Sequence, residues 1–143
     1  MGSILAVDLG TRRIGLAVSD ELTGARPLYA LSRGDVGKDM DKIAELVRSY
    51  QAELVVVGLP LRLGGEKGPE AERAEQFARG LARRVGVPVV TWDERLSTVE
   101  AEQLLLQADV SRRKRRELVD ALAAVAILRS YLEAHRPPAG DQE

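Results

Sequence analysis

The sequence predicts an α/β fold: a mixed five-stranded sheet, with three strands in an antiparallel meander and two parallel strands, flanked by helices. Three observations carry this prediction. Two short apolar runs, Ile4 to Leu9 and Ile14 to Val18, flank the polar segment Gly10-Thr11-Arg12-Arg13, as in a β-hairpin. Two further runs, Leu54 to Gly58 and Val87 to Trp92, are apolar at nearly every position, which is the pattern of buried parallel strands. Between and after them, apolar residues recur at helical spacing.

The elements follow in order. The hairpin is followed by a third strand near Leu28 to Leu31. Met40, Ile43, Ala44, Val47 and Tyr50 fall on one face of an amphipathic helix. After the strand ending at Gly58 comes a Gly-rich loop from Leu61 to Gly68, and Pro69 suits the first turn of the next helix. That helix carries the stripe Ala74, Phe77, Ala78, Leu81 and Val85. Beyond Trp92, Ser97 and Glu100 have the spacing of a capping box for a helix to about Ala108. Ser111 caps a last helix with the stripe Leu118, Leu122, Val125, Leu128 and Leu132. One domain over residues 1–135 is expected, with the proline-containing tail 136–143 disordered.

Composition narrows the function. A chain of 143 residues with 45% hydrophobic residues can bury one core without staples. It has no cysteine, so disulfides and thiolate metal sites are excluded. Its one histidine, His135, sits near the tail, which argues against a histidine relay or a zinc site. No membrane span or signal sequence is expected, so the protein should work in the cytoplasm. The net charge of −1 supplies no bulk attraction to nucleic acid, so the positions of the cations matter more than their number.

Three acids stand where polar residues are costly or where ligands collect. Asp8 lies within the apolar end of the first strand, where an unpaired carboxylate costs several kcal/mol. Gly10, two residues on, lets a ligand approach the backbone. Asp93 and Glu94 follow the strand ending at Trp92, at the carboxyl edge where α/β sheets bind ligands. Adjacent residues there point to opposite sides, so one of the two can face a given pocket. Asp120 extends the apolar stripe of the last helix through Ala124, Ile127, Leu128 and Tyr131, where a charge needs a metal or a cation. Each also has a plainer explanation: a turn-capping Asp8, an acidic loop start at Asp93-Glu94 with a surface salt bridge to Arg95, and an Asp120 at the solvent edge of its stripe. Together they can hold Mg²⁺ or Mn²⁺, and a pair of such ions cleaves phosphodiesters. The basic run Arg112-Arg113-Lys114-Arg115-Arg116 opens the last helix, where cations oppose the helix dipole unless an anion such as phosphate sits among them.

Those residues also carry a resemblance. Asp8-Leu9-Gly10-Thr11-Arg12-Arg13-Ile14-Gly15, Val57-Gly58-Leu59-Pro60-Leu61 and Asp93-Glu94-Arg95-Leu96-Ser97-Thr98 resemble the signature blocks of the YqgF (RuvX) family. Lys114 with Asp120, Ala123, Ala124, Ile127, Leu128, Tyr131 and Leu132 resembles its C-terminal block. The resemblance implies a ribonuclease H-like fold related to the junction resolvase RuvC. It also implies a nuclease that matures the 5′ end of pre-16S rRNA, with RNA ahead of DNA as substrate and pre-ribosomal particles as partners. Asp8, Glu94 and Asp120 are then the catalytic metal ligands, with Asp93 in reserve and two ions bound. Arg95, Lys114 and the loop after Pro60 then face the substrate, and Gly10, Arg13, Arg62 and Arg113 complete the expected substrate contacts. One departure stands out: the family usually shows Asn-Met-Asp-Gly after Gly-Leu-Pro-Leu, where this chain has Arg62-Leu63-Gly64-Gly65. A four-way-junction resolvase, which would act as a homodimer, and a non-catalytic nucleic-acid-binding module are the competing expectations. An actin-type ATPase is disfavoured because one domain supplies only one of the two lobes such a site needs.

Overall fold

Alternation along the first strand decides how the sheet is covered. Strand β1 (Ser3–Leu9) sends Leu5 and Val7 to one face of the sheet and Ala6 to the other, and the two-residue period puts Asp8 on the Ala6 face. β2 (Arg13–Asp20) pairs with it antiparallel, Asp8 opposite Gly15 and Leu9 opposite Ile14. β3 (Gly24–Ser32) continues the meander, while β4 (Ala52–Leu59) and β5 (Val89–Asp93) add in parallel on the other side of β1. The sheet order is β3-β2-β1-β4-β5, the mixed five-stranded arrangement expected. The computed structural model describes residues 3–20, 24–96 and 112–135. The expected capping-box helix, the Ser111 cap and the tail 136–143 lie outside these.

Two boundaries differ from expectation. β3 begins at Gly24, several residues before Leu28, and its pairing slips where Ala17 meets Pro27. Proline masks a strand in sequence because it cannot donate to the ladder, yet an edge strand tolerates it. β5 starts at Val89 because Gly86, at φ 69°, ends the preceding helix in a left-handed turn, and Val87-Pro88 are spent on the link.

The helices divide between the two faces. α1 (Val36–Ser49) is capped by Asp35, whose Oδ1 accepts from the Lys38 amide at 3.0 Å. α2 (Pro69–Val85) opens on the expected proline. Met40, Ile43 and Val47 of α1 and Phe77 and Leu81 of α2 pack on Leu5, Val7, Leu16, Val55 and Val57. The opposite face carries small residues, Ala6, Ala17 and Ala25, and there α3 (Arg112–Ala134) seats Ala124, Val125 and Leu128. Among the described residues no helix is long and apolar enough to cross a membrane.

Small residues let α3 come close, and Gly15 shows how close. A Cβ on Gly15 would overlap the backbone carbonyl of Asp120. A helix backbone cannot yield as a flexible side chain can, so Gly15→Ala is expected to cost about 1–3 kcal/mol. Gly34→Ala, whose Cβ would meet open space, should stay within about 0.5 kcal/mol of wild type. Urea unfolding of the two variants checks this, and equal midpoints would show that the approach is not tight.

Candidate active site at the carboxyl edge of the sheet

β1, β4 and β5 all end at one edge of the sheet, and the acids expected from sequence gather there. Asp8 is the penultimate residue of β1. Glu94 opens a 3₁₀ turn, Glu94–Leu96, directly after β5. The turn folds Glu94 back over β4, so that a Cβ on Gly58 would collide with its carboxyl and with Ile127 of α3. Glycine inside an apolar strand here marks space reserved for another group. Glu94 is hydrogen-bonded to Asp8. Asp120 reaches the same place from α3, whose backbone rests on Gly15 opposite Asp8.

The three acids are not equivalent. Asp8 and Glu94 touch, whereas Asp120 lies within electrostatic reach of Asp8 and is tied to Arg13, whose Nε donates to its Oδ2 at 2.6 Å. Among the described residues no three acidic or imidazole side chains stand close enough together to form a ready-made metal cluster. Asp93, the expected reserve ligand, turns the other way. It accepts from Arg95 Nε at 2.9 Å and Nη2 at 2.6 Å, and its Oδ1 accepts from the Arg95 amide at 2.9 Å. Of the adjacent pair, Glu94 is therefore the one that faces Asp8.

The expected substrate contacts are distributed around this edge. Gly10 closes the hairpin, its amide donating to Arg13 O at 2.9 Å, and a Cβ there would sit 2.7 Å from that oxygen. Arg13 is occupied with Asp120. Arg62 is exposed on the loop after β4, where its amide donates to Glu66 O at 3.0 Å and Gly65, at φ 92°, makes the turn. Arg95 spans from Asp93 to the same loop, Nη1 donating to Leu63 O at 3.1 Å. Arg113 and Lys114 lie in the first turns of α3, and their side chains are outside the described residues. Arg33 was not expected from sequence: its amide donates to Arg12 O at 2.9 Å and its Nη1 to Gly10 O at 2.8 Å, bracing the hairpin turn. A lone arginine after a strand gives no periodic signal that could have found it.

Burial sets the electrostatics. Removal from water pushes the Glu94 carboxyl up to about 9, helped by its hydrogen bond to Asp8 and by the charges of Asp8 and Asp93. Asp8 is also raised, first by burial and then by the nearby Asp120 charge, against the lowering effect of its bond with Glu94. The consistent arrangement is a shared proton, with the Glu94 carboxyl donating to the Asp8 carboxylate. Asp93 is held below the usual carboxylate range by its hydrogen bonds to Arg95. Two half-buried carboxyls held together by a proton form a place where a hard cation could substitute for that proton.

Comparison with known proteins agrees with this fold. The family model RuvX, described as "Holliday junction resolvase", matches residues 2–134. A Myxococcus xanthus protein named "Putative pre-16S rRNA nuclease" is 46% identical over 138 residues, covering 96% of this chain and 91% of its own length. A Geobacillus protein of the same name is 43% identical over 136 residues, covering 92% and 97%. Among solved structures, Thermus thermophilus RuvC in complex with a Holliday junction substrate superposes with a TM-score of 0.64 at 20% identity, covering 95% of this chain and 98% of that one. Fowlpox virus resolvase with Holliday junction DNA gives 0.59 at 13% identity, covering 94% and 99%. The fold is thus ribonuclease H-like, as in RuvC.

The raised carboxyls predict a pH dependence. Above the ordinary value of 4.5 the folded protein keeps a proton on Glu94 that the unfolded chain releases. This contribution to stability is complete below about 4.5 and is lost as pH rises through about 9. Asp8 acts in the same direction. The thermal midpoint of protein stripped of metal should therefore decline across that window, and Glu94→Gln should flatten most of the decline. A midpoint that rises with pH there would contradict the shared proton.

Proposed function

The chain belongs to the RuvX family, and from that membership we propose that it is a metal-dependent nuclease maturing the 5′ end of pre-16S rRNA in the cytoplasm. The observation that carries this reading is the half-buried, hydrogen-bonded Asp8–Glu94 pair beside Asp120 at the carboxyl edge of a RuvC-like sheet. The oxygen-only donor set fits Mg²⁺ or Mn²⁺, with Asp8 and Glu94 as the ligands that would hold a first ion and Asp120 as the further carboxylate that a second would need. Bound there, such ions polarise the phosphodiester and lower the pKa of the attacking water.

The chain's own residues do the rest. Glu94 would have to release its proton to serve as a ligand. Arg13 holds Asp120 in place and keeps a guanidinium at the same edge, where it suits a phosphate. Arg95 anchors the loop that carries Arg62, and there Arg62-Leu63-Gly64 stands where the family usually has Asn-Met-Asp. Water adds its hydroxyl to phosphorus and the P–O3′ bond breaks, leaving a 5′-phosphate and a 3′-hydroxyl. The names of the relatives favour pre-ribosomal RNA as substrate. The family description and the fold keep a second reading, resolution of four-way DNA by a homodimer.

Asp8→Asn should reduce Mn²⁺- or Mg²⁺-supported cleavage by roughly a thousandfold or more, with fold and RNA affinity retained. Assays on matched pre-rRNA, single-stranded RNA and junction DNA decide the substrate. Cleavage by Asp8→Asn at the wild-type rate would eliminate the carboxylate mechanism. The basic run should contribute affinity and not chemistry: Lys114→Ala should lower the slope of log K against log salt by about one unit. An unchanged slope would remove Lys114 from the phosphate contacts.

A further inference from the structure

Behind the carboxylates, on the opposite face of the sheet, lies a cavity of about 240 Å³. Its apolar part is Leu9, Val36, Met40 and Phe77. Its polar part is Arg33, Arg73 and the exposed amide of Gln76, with no acidic residue in the lining. Leu9 follows Asp8 directly, so cavity and carboxylates stand back to back across one strand. Arg33 joins them, because the guanidinium that lines the cavity also donates to Gly10 O in the turn between the two. Arg73 is exposed, and among the described residues no hydrogen bond or ion pair engages it.

We propose that this cavity is a nucleotide subsite, holding one base of the substrate strand after it has passed the carboxylates and crossed the hairpin turn. The chemistry fits each part of a nucleotide. A flat base covers the exposed Val36, above a floor made by the buried Phe77 and Met40. Gln76 offers both a donor and an acceptor to the base edge. The flanking phosphate meets two guanidiniums, and fork-like donors suit phosphate oxygens. The volume falls below the ~300–1,000 Å³ of pockets for whole drug-sized ligands, which suits a base with its phosphate outside. Charge complementarity excludes a cation and disfavours a purely apolar partner. The identification of the occupant as part of a nucleic-acid strand rests on the nuclease reading; affinity of the cavity for a nucleotide does not.

Met40 provides a direct reporter, since the chain has only one other methionine, Met1. The full chain with ¹³C-methyl methionine is titrated with adenosine 5′-monophosphate, adenosine, inorganic phosphate and a short acidic peptide. The Met40 methyl should shift with the nucleotide. Adenosine should bind about tenfold more weakly, and Arg73→Glu should weaken the nucleotide by about tenfold. In cleavage assays the Arg73→Glu defect should appear in KM and not in kcat. A Met40 signal that ignores the nucleotide, follows adenosine equally, responds more tightly to the acidic peptide or keeps its affinity in Arg73→Glu overturns the subsite. Absence of any cleavage by the wild type would instead defeat the nuclease reading, and the titration would still decide the cavity.

Discussion

The closeness of α3 to the sheet is the constraint on which the site depends. Asp120 can reach Asp8 only because the helix backbone rests directly on Gly15, and Glu94 can fold inward only because Gly58 leaves room for it. Ala6 and Ala17 extend the same low surface beneath Ala124 and Leu128. A larger residue at either glycine would lift the helix or expel the carboxylate, and the acids would separate. The other face has no such requirement. There α1 and α2 stand off the sheet on full-sized side chains such as Ile43, Phe77 and Leu81. The two layers therefore divide their work: one supplies most of the large buried side chains, and the other trades side-chain bulk for proximity.

Proximity has an electrostatic consequence. Carboxylates brought together out of water cannot all stay ionised, so the pair Asp8 and Glu94 holds a proton and Asp120 takes a guanidinium. Arg13 and the shared proton are two answers to the same excess of negative charge. Each gives a carboxylate of this group a partner that it would otherwise lack.

Much of this was legible in the sequence, for physical reasons. Asp8 and Asp120 break apolar patterns, and a charge in an apolar stripe is costly enough to be informative. Continuous β-branched runs marked β4, and the run of polar residues between Leu9 and Ile14 marked the hairpin. Pairings between side chains were not legible. Nothing in the order of residues says that Arg13 meets Asp120 across 107 positions, or which of Asp93 and Glu94 takes Arg95 and which is left to face Asp8. Arg33 was invisible for the same reason, since its role depends on where the hairpin turn lies in space. The extent of β3 was hidden by Pro27, which reads as a breaker although the sheet edge accepts it.

The distribution of cations resolves an apparent conflict between a net charge of −1 and a polyanionic substrate. Long-range attraction follows net charge, but close binding follows the local field within about one Debye length of the surface. Arg13 opens β2 at the hairpin turn, Arg33 follows β3 and braces that turn, Arg62 lies on the loop after β4, and Arg95 in the turn after β5. All four sit at the edge where the parallel strands end, which is also the edge that carries Asp8 and Glu94. Several are fixed by neighbouring backbone: Arg33 by Gly10 O, and Arg95 by Leu63 O. Guanidiniums already held in place lose less conformational freedom when a phosphate arrives than free ones would. A nearly neutral chain can therefore present a basic rim around an acidic centre, and that pattern suits a backbone that must be gripped on either side of the bond to be cut.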